Sequence, residues 1–586
     1  MKINYMMEKK LSEYITMSKN IQIKENDKKI KIAILGSFTL KGLDECMRVK
    51  CSLKNTQYKS YIGNYNQYNQ EILEENSELY KFDPDLTFLV IDTRSILGKI
   101  FDNPYSVSDE ERKHIVEEKF DELRNIISVF QKNTRKKLVV FNFQIPSFSP
   151  NGIIENKSEF GFHKMVNELN NLLEKLGKEK SSLFVFDFNQ FVLKHGQNNV
   201  FNYKQFFLGD IHISFDFIPY LAEDLMTYVK SSLGLNKKCI VLDLDNTLWG
   251  GVVGEDGFNG IELGHTPNGR AFVEFQKRLL GLWQQGIILA INSKNNFDDA
   301  IKVIKEHPNM ILREEHFANI QINWNDKAIN LKKIADEINI GTSSMVFFDD
   351  DKLNQERIKQ EFPEILTVEL SNDPSEYVKI LEELNDFDVL HRTEEDAKRG
   401  KMYAQERKRK EFKNEVSDLN KFLEQLDITV KIENSNEFLI PRISQLTLKT
   451  NQFNLTTRRY QEEEIRKISD DNSFKVGCAQ VSDKFGDNGI TGVYIIKKND
   501  DVWLLDTFLL SCRVMGRGVE DAVLSHILKD AKNNGVREFR AEFIPTEKNK
   551  PSENFLTDNG FTKKGDLWVF DLEKSIQSPT HLKIVK

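Results

Sequence analysis

The chain has few cysteines, no long apolar run and little surplus of one charge, and each shortage excludes something. Its five cysteines in 586 residues are Cys46, Cys51, Cys239, Cys478 and Cys512. They form no C-x-x-C pair and lack a histidine-rich partner, which argues against a disulfide framework and a zinc site. No apolar run approaches the roughly 18 residues needed to cross a bilayer, and Met1–Lys10 lacks the apolar core of a signal peptide. A cytoplasmic chain with reduced thiols and no membrane partner is expected. The net charge of −8 disfavours nonspecific nucleic-acid binding. What remains, 39% hydrophobic and 29% charged residues, describes an ordinary soluble protein, long enough for about three to four domains.

The most informative segment is Asp243-Leu244-Asp245-Asn246-Thr247, at the end of the apolar run Lys238–Leu242. Such a run reads as a buried parallel strand. The period of a strand puts Asp243 and Asp245 on one side of its carboxyl end, where open α/β sheets bind ligands. Crowded carboxylates repel unless a cation lies between them, so a magnesium site for phosphate chemistry is the economical reading. A second strand, Ile287–Asn292, ends at Ser293, a hydroxyl donor for a phosphoryl oxygen. Lys327 stands at an expected helix start and can offset phosphate and carboxylate charge. A third strand, Met345–Phe348, ends in Asp349-Asp350-Asp351, further magnesium ligands.

Asp243, Ser293, Lys327 and Asp349 together resemble the four motifs of haloacid dehalogenase-like (HAD) phosphotransferases. Their surroundings, Asp243–Gly257, Ser293-Lys294-Asn295 and Trp324–Lys327, resemble the FkbH-like branch, subfamily IIIC, and the likeness continues through Gln445–Thr456 and Ser511–Glu520. The resemblance implies Asp243 as nucleophile and Asp245 as acid and base. It also implies magnesium on Asp243, Asp245 through its carbonyl, Asp349 and Asp350, with Thr247 and Asn295 touching substrate. One departure stands out: where the family continues with Asn-Pro-x-Glu-Arg, this chain has Asp351–Gln355, which leaves the surroundings of the aspartates open.

The expected fold is multidomain α/β. After an extension (1–29), residues 30–232 alternate strand and helix signals as a doubly wound parallel sheet. Ser37, Asn142 and Asp210-Ile211-His212 give this part a loose likeness to SGNH hydrolases. Gly36-Ser37-Phe38 lacks the usual Asp before Ser, however, and Asp210 and His212 are too close for D-x-x-H, so structural or binding roles are favoured over a triad. Residues 236–372 form the HAD-like core. The intervals Gly250–Gly269 and Ser293–Lys327 leave room for a flap, a helix and a short strand at Met310–Leu312, but not for a cap domain. The site is therefore expected to be open to a bulky substrate, or lidded by a neighbouring domain. Residues 373–425 read as a charged helical linker. Its Arg407–Lys410 run is either a solvated face, neutralised by Glu394, Glu395, Glu406 and Glu411, or a docking face for an acidic carrier.

Residues 426–586 carry antiparallel strand signals at Ile428–Ile432, Val476–Val481, Ile490–Ile496 and Val502–Phe508. Arg513-Val514-Met515-Gly516-Arg517-Gly518 then opens a helix, and R-x-x-G-x-G at such a turn resembles the pyrophosphate loop of GNAT acyltransferases. Its glycines and helix end suit a phosphate, and Lys449, Arg458 and Arg459 are candidate additional charges. The family resemblance implies loading of a glyceryl unit from 1,3-bisphosphoglycerate, a phosphorylated acyl donor, onto an acyl carrier protein in polyketide-type biosynthesis, with phosphopantetheine or coenzyme A at this loop. Cys512 either packs in the core or, where an acyl-enzyme forms, is favoured over the buried Cys239 as the acyl acceptor. The alternative is a phosphatase joined to a coenzyme A-dependent acyltransferase of sugar or surface-polysaccharide assembly.

Overall fold

The computed structural model describes residues 9–21, 28–392, 394–416, 418–499 and 501–585. It divides into two compact units, one ending at Asn236 and including Asp388–Leu390, the other Lys237–Phe387 with His391–Lys586. The N-terminal extension falls partly outside the described residues; its described part holds the helix Leu11–Ser18.

The first unit is built on strands β1 (Lys28–Gly36), β2 (Thr56–Ile62), β3 (Leu86–Val90), β4 (Lys137–Phe141) and β5 (Leu183–Phe186). They pair in parallel in the order β2-β1-β3-β4-β5. Alternation along β1 separates two cores. Ile30, Ile32 and Ile34 join one cluster, and Ala33 and Leu35 the other. That is what strands buried on both faces require. The covering helix Asp109–Asn133 starts at a capping box between Ser108 and Glu111.

The second unit begins with β6 (Cys239–Leu242), β7 (Ile288–Ser293), β8 (Phe317–Ile322), β9 (Met345–Asp349) and β10 (Leu366–Glu369). All pairs are parallel, in the order β10-β9-β6-β7-β8. The strand expected at Met310–Leu312 is not formed. The side-chain oxygen of Gln276 accepts the Ile311 and Leu312 amides at 2.9 and 3.1 Å, taking the groups a ladder would use, and β8 lies a few residues later. Between Gly250 and Gly269 the chain forms a flap with one short helix, Val253–Asp256, tied by a Gly250–Glu262 bridge.

The same unit continues with β11 (Ile428–Asn434), β12 (Phe453–Asn454), β13 (Phe474–Asp483), β14 (Gly486–Lys498), β15 (Val502–Leu510), β16 (Glu538–Glu542), β17 (Thr562–Lys564), β18 (Leu567–Asp571) and β19 (Leu582–Val585). Strands β11, β13, β14 and β15 are antiparallel neighbours. β16 runs parallel to β15 but pairs only with Val502–Leu505, while the last two residues of β15 pair with β12. The two parallel strands thus part beyond Leu505. The helix Val519–Asn533 crosses from β15 to β16, giving the C-terminal part a GNAT-like α+β layout.

The charged run Arg407–Lys410 is only in part a solvated face: Lys408 and Lys410 are exposed, but Arg409 is not. Arg409 is 1% exposed and forks onto Asp483 of β13 with contacts of 2.7 and 2.8 Å. Arg407 bonds Glu314 and Lys410 caps the Glu337 carbonyl. Buried guanidinium needs such paired partners, and an Arg fork matches a carboxylate. The Glu394, Glu395 and Glu411 side chains lie outside the described residues. The helix Glu394–Glu415 therefore clamps the C-terminal sheet to the phosphate-type sheet. Its contacts there of Asp396 against Gly286, Arg407 on Glu314 and Lys410 on Glu337 fall on loops or helix ends that precede strands.

Candidate active site

The site grows from the carboxyl ends of β6, β7 and β9, which all stop at polar residues after fully buried apolar runs. Asp243 follows β6, its amide held by the Phe348 carbonyl of β9, and its Oδ1 accepts the Leu244 amide at 2.8 Å. Lys327 is the first residue of the helix Lys327–Ile338, whose N-cap is Asp326. Its ammonium lies 2.7 Å from Asp243 Oδ2 and 2.6 Å from Asp349 Oδ2, and Asn292 secures it by donating to the Lys327 carbonyl at 2.8 Å. Burial opposes the charge on Lys327, but Asp243 and Asp349 overcome it and raise its pKa.

Oxygens of Asp243, Asp349 and Asp350 come within 4.8 Å of one another. Burial, with Asp243 adding its charge, pushes the Asp349 carboxyl up to about 7 and Asp350 up to about 6. An all-oxygen, carboxylate-rich set with one lysine against it fits a hard divalent cation, which would relieve this repulsion. Asp245 stands apart from the cluster. Its Oδ1 accepts from Trp249 Nε1 at 2.8 Å and the Val253 amide at 3.1 Å, and its Oδ2 accepts from Asn295 Nδ2 at 2.8 Å. Burial raises its pKa against those donors. Asn295, which the family resemblance implies as a substrate contact, here holds Asp245 through this bond. Ser293 is buried at the end of β7, and the buried Thr247 hydroxyl has no partner.

Two positioning residues were not singled out in the sequence. Gln355, in the stretch that departs from the family pattern, is 1% exposed and donates to the Asp349 carbonyl at 2.5 Å. Trp249 lies in the quoted motif, but only the fold shows its indole turned back onto Asp245. The rim of the site is wide and apolar: Phe297, Trp324 and Leu353, 50%, 76% and 80% exposed, follow β7, β8 and β9. The C-terminal part is not a lid over it, because it docks at the opposite ends of these strands.

In the C-terminal part, Arg513, Gly516 and Gly518 lie between β15 and its following helix, with Gly516 and Gly518 at φ +69° and +79°. The loop is not bare. The Gly516 amide donates to Glu520 Oε1 at 3.1 Å, Gly518 packs on Pro579 and His581, and Arg513 turns to Ser511 and Met402. Arg458 pairs with Asp506 and Glu542, and Arg459 caps the Thr447 and Thr450 carbonyls. Cys512 is the exposed cysteine; the other four are buried. Burial drives the Cys239 thiol far up, so it supplies no thiolate.

The SGNH-like residues of the first unit do not assemble a triad. Ser37 Oγ donates to Asp92 Oδ2 at 2.9 Å, and His212 faces Asp210 at 2.9 Å. Asn142 is spent on Asp187 and on the Phe188 amide.

Residues 31–230 match the family described as FkbH, N-terminal domain. The chain is 28% identical to the N-terminal part of the protein BF1531 from Bacteroides fragilis, which contains a phosphatase domain complexed with Mg. That match has a TM-score of 0.60 and covers 65% of this chain and 99% of the other. Shorter matches include an acetyltransferase of the GNAT family from Staphylococcus aureus, at 13% identity and TM-score 0.20, covering 24% of this chain and 99% of that one. Another is Rv2747 from Mycobacterium tuberculosis in complex with CoA, at 15% identity and TM-score 0.19, covering 23% and 72%. No curated protein sequence matches the chain. The N-terminal domain thus matches the FkbH N-terminal domain model, and the Asp243–Lys327–Asp349 site lies in the part of the chain that resembles a HAD-like, magnesium-binding phosphatase fold.

Proposed function

We propose that the protein removes phosphate from a phosphorylated acyl donor and transfers the acyl unit to a thiol, the thiol being the phosphopantetheine of an acyl carrier protein. The observation that carries the phosphatase half is the buried triangle of Lys327 with Asp243 and Asp349, backed by Asp350. Asp243, Asp349 and Asp350 would hold magnesium, which supplies neutralisation of phosphoryl charge when bound. A carboxylate oxygen of Asp243 attacks phosphorus, and the bond to the ester oxygen breaks as Asp245 passes its proton to that oxygen. Asp245 then takes a proton from water, whose oxygen attacks the aspartyl phosphate and frees inorganic phosphate with Asp243 restored. Burial favours the protonated Asp245 that the first step needs. Lys327 stays charged throughout and steadies the anionic oxygens.

The acyl half starts from a mixed anhydride such as 1,3-bisphosphoglycerate. The Cys512 thiolate attacks its acyl carbon, the C–O bond to phosphate breaks, and phosphate leaves. The carrier thiol then attacks the thioester and returns Cys512 with its proton. Exposure of Cys512 beside Arg513, and an uncapped phosphatase site with an apolar rim, support a bulky carrier-borne substrate. The test is intact-mass spectrometry of a candidate carrier protein incubated with the enzyme, 1,3-bisphosphoglycerate and magnesium. A glyceryl adduct without phosphate is expected. Phosphate release with no adduct on any carrier, together with acylation of small amines from coenzyme A thioesters, would favour the phosphatase–acyltransferase alternative.

A further inference from the structure

The first unit holds a cleft that the phosphatase and acyl-transfer chemistry does not use. Its strand order, β2-β1-β3-β4-β5, reverses direction of winding between β1 and β3, and open α/β sheets bind ligands outside the strand ends at that point. A cavity of about 220 Å³ opens there. Phe38, Phe101, Phe148, Phe188 and Phe206 give it aromatic walls.

Most polar groups at its floor are already bonded. Ser37 gives its proton to Asp92, and Thr93 Oγ1 donates to the Gln144 carbonyl at 2.6 Å. Asn142 is held by Asp187 at 2.8 Å, and His212 by Asp210. The His212 ring is further packed between Phe38 and Phe206, with centroids at 4.4 and 4.8 Å. Apart from His212 Nδ1, which lies 3.8 Å from Asp92, these side chains are already bonded, so burying a polar group would be costly and an apolar one favourable. Ser37 gives its proton to Asp92 and not to His212, so the proposal below is one of binding.

At the mouth the character changes. Arg94 is the one lysine or arginine among the described lining residues. Its guanidinium lies 4.7 Å from the Phe101 ring centroid and 5.8 Å from that of Phe206. Its ion pair with Asp102, at 3.0 Å, is exposed on both sides, and such pairs exchange readily for another anion. The adjoining helix Tyr203–Gly209 buries none of its residues and presents Tyr203, Phe207 and Leu208 to solvent.

We propose that this cleft binds a small amphiphile: an aliphatic or aromatic tail on the ring-lined wall, and one anionic head group, carboxylate or phosphate, on Arg94. The proposal is independent of the phosphatase reading. The full-length protein would be titrated calorimetrically with octanoate, octyl phosphate, octanol and octyltrimethylammonium. Saturable one-to-one binding of octanoate or octyl phosphate is expected, with octanol about tenfold weaker and the cation not bound. A preference between the two anions names the head group, and either preference supports the site. Arg94→Gln should reduce the anion to the affinity of octanol, and Phe206→Ser should weaken the anion and octanol alike by about tenfold. Phe206 sits on the helix that buries nothing, and melting curves of both variants overlaying the parent exclude misfolding. Absence of saturable anion binding, octanol binding as tightly as octanoate, or unchanged octanoate binding in both variants would overturn the proposal.

Discussion

Lys327 bridges Asp243 and Asp349, its one ammonium within 2.7 Å of an oxygen of each. The contact joins the end of β6 to the end of β9 through a residue that starts a helix after β8. Removing the lysine leaves three crowded carboxylates facing each other in a buried site. Breaking such a pair typically costs about 3–5 kcal/mol. Lys327→Met should therefore lower the melting temperature markedly in chelator, and magnesium should restore more of it than in the parent. A variant as stable as the parent in chelator would remove the lysine from the site's charge balance.

Asp243→Asn keeps shape and removes the nucleophile. Phosphate release should fall by about a thousandfold or more, roughly 4 kcal/mol in barrier. Near-normal release measured with a chromogenic phosphate ester would eliminate the covalent route.

Gln355→Leu deletes the donor to the Asp349 carbonyl. A buried carbonyl left without a partner costs about 1–3 kcal/mol. The loop carrying Asp349 and Asp350 should loosen, so that the magnesium concentration for half-maximal phosphate release rises while the rate at saturating magnesium changes little. An unaltered magnesium dependence would make Gln355 a packing residue only.

Glu520→Gln removes the charge that now occupies the Gly516 amide. A pyrophosphate at that turn must compete with this carboxylate, so the variant should bind coenzyme A several-fold more tightly by calorimetry. Unchanged affinity would place the coenzyme's phosphates elsewhere.

His195 packs against Phe191, Phe217 and Tyr220, and burial, with Lys194 adding its charge, lowers its pKa to about 4. A depressed folded value means the neutral ring favours the fold. Its contribution is full above about 6.5, the unfolded value, and is lost as pH falls toward about 4, at most on the order of 3 kcal/mol. Hydrogen exchange in the helix Phe188–His195 should quicken over that window, and His195→Leu should flatten the dependence. The same pH slope in the variant would assign it to other groups.

The buried strands that end in chemistry were readable in advance, because continuous apolar runs and strand-end polar residues are local signals. β6, β7 and β9 and their residues Asp243, Ser293 and Asp349 belong to that class. The edge strand β2, with its sequence Thr-Gln-Tyr-Lys-Ser-Tyr-Ile, carries half the apolar content and gave no such signal. Ion pairs between distant segments were equally invisible. Nothing local distinguishes Arg409, buried on Asp483, from its solvated neighbours, and nothing near Asn295 says that it holds Asp245. The Glu520 carboxylate inside a glycine turn is a similar case: the spacing of the glycines is local, but what fills the turn is decided by the helix folding back.

The clamp formed by the helix Glu394–Glu415 has a kinetic meaning. β6 separates Asp243 from Cys239, whose end of the strand lies toward Tyr403, and Tyr403 lies near both Cys239 and Cys512. Roughly 13 Å of strand rise therefore stands between the phosphate chemistry and the thiol, with a packed sheet in the way. On the proposed route through Cys512, the acyl unit has to commute between the two ends, either free in solution or on a tether long enough to round the sheet. The two itineraries leave different traces: a scavenging thiol in the medium intercepts a free traveller in proportion to its concentration, and leaves a tethered one untouched.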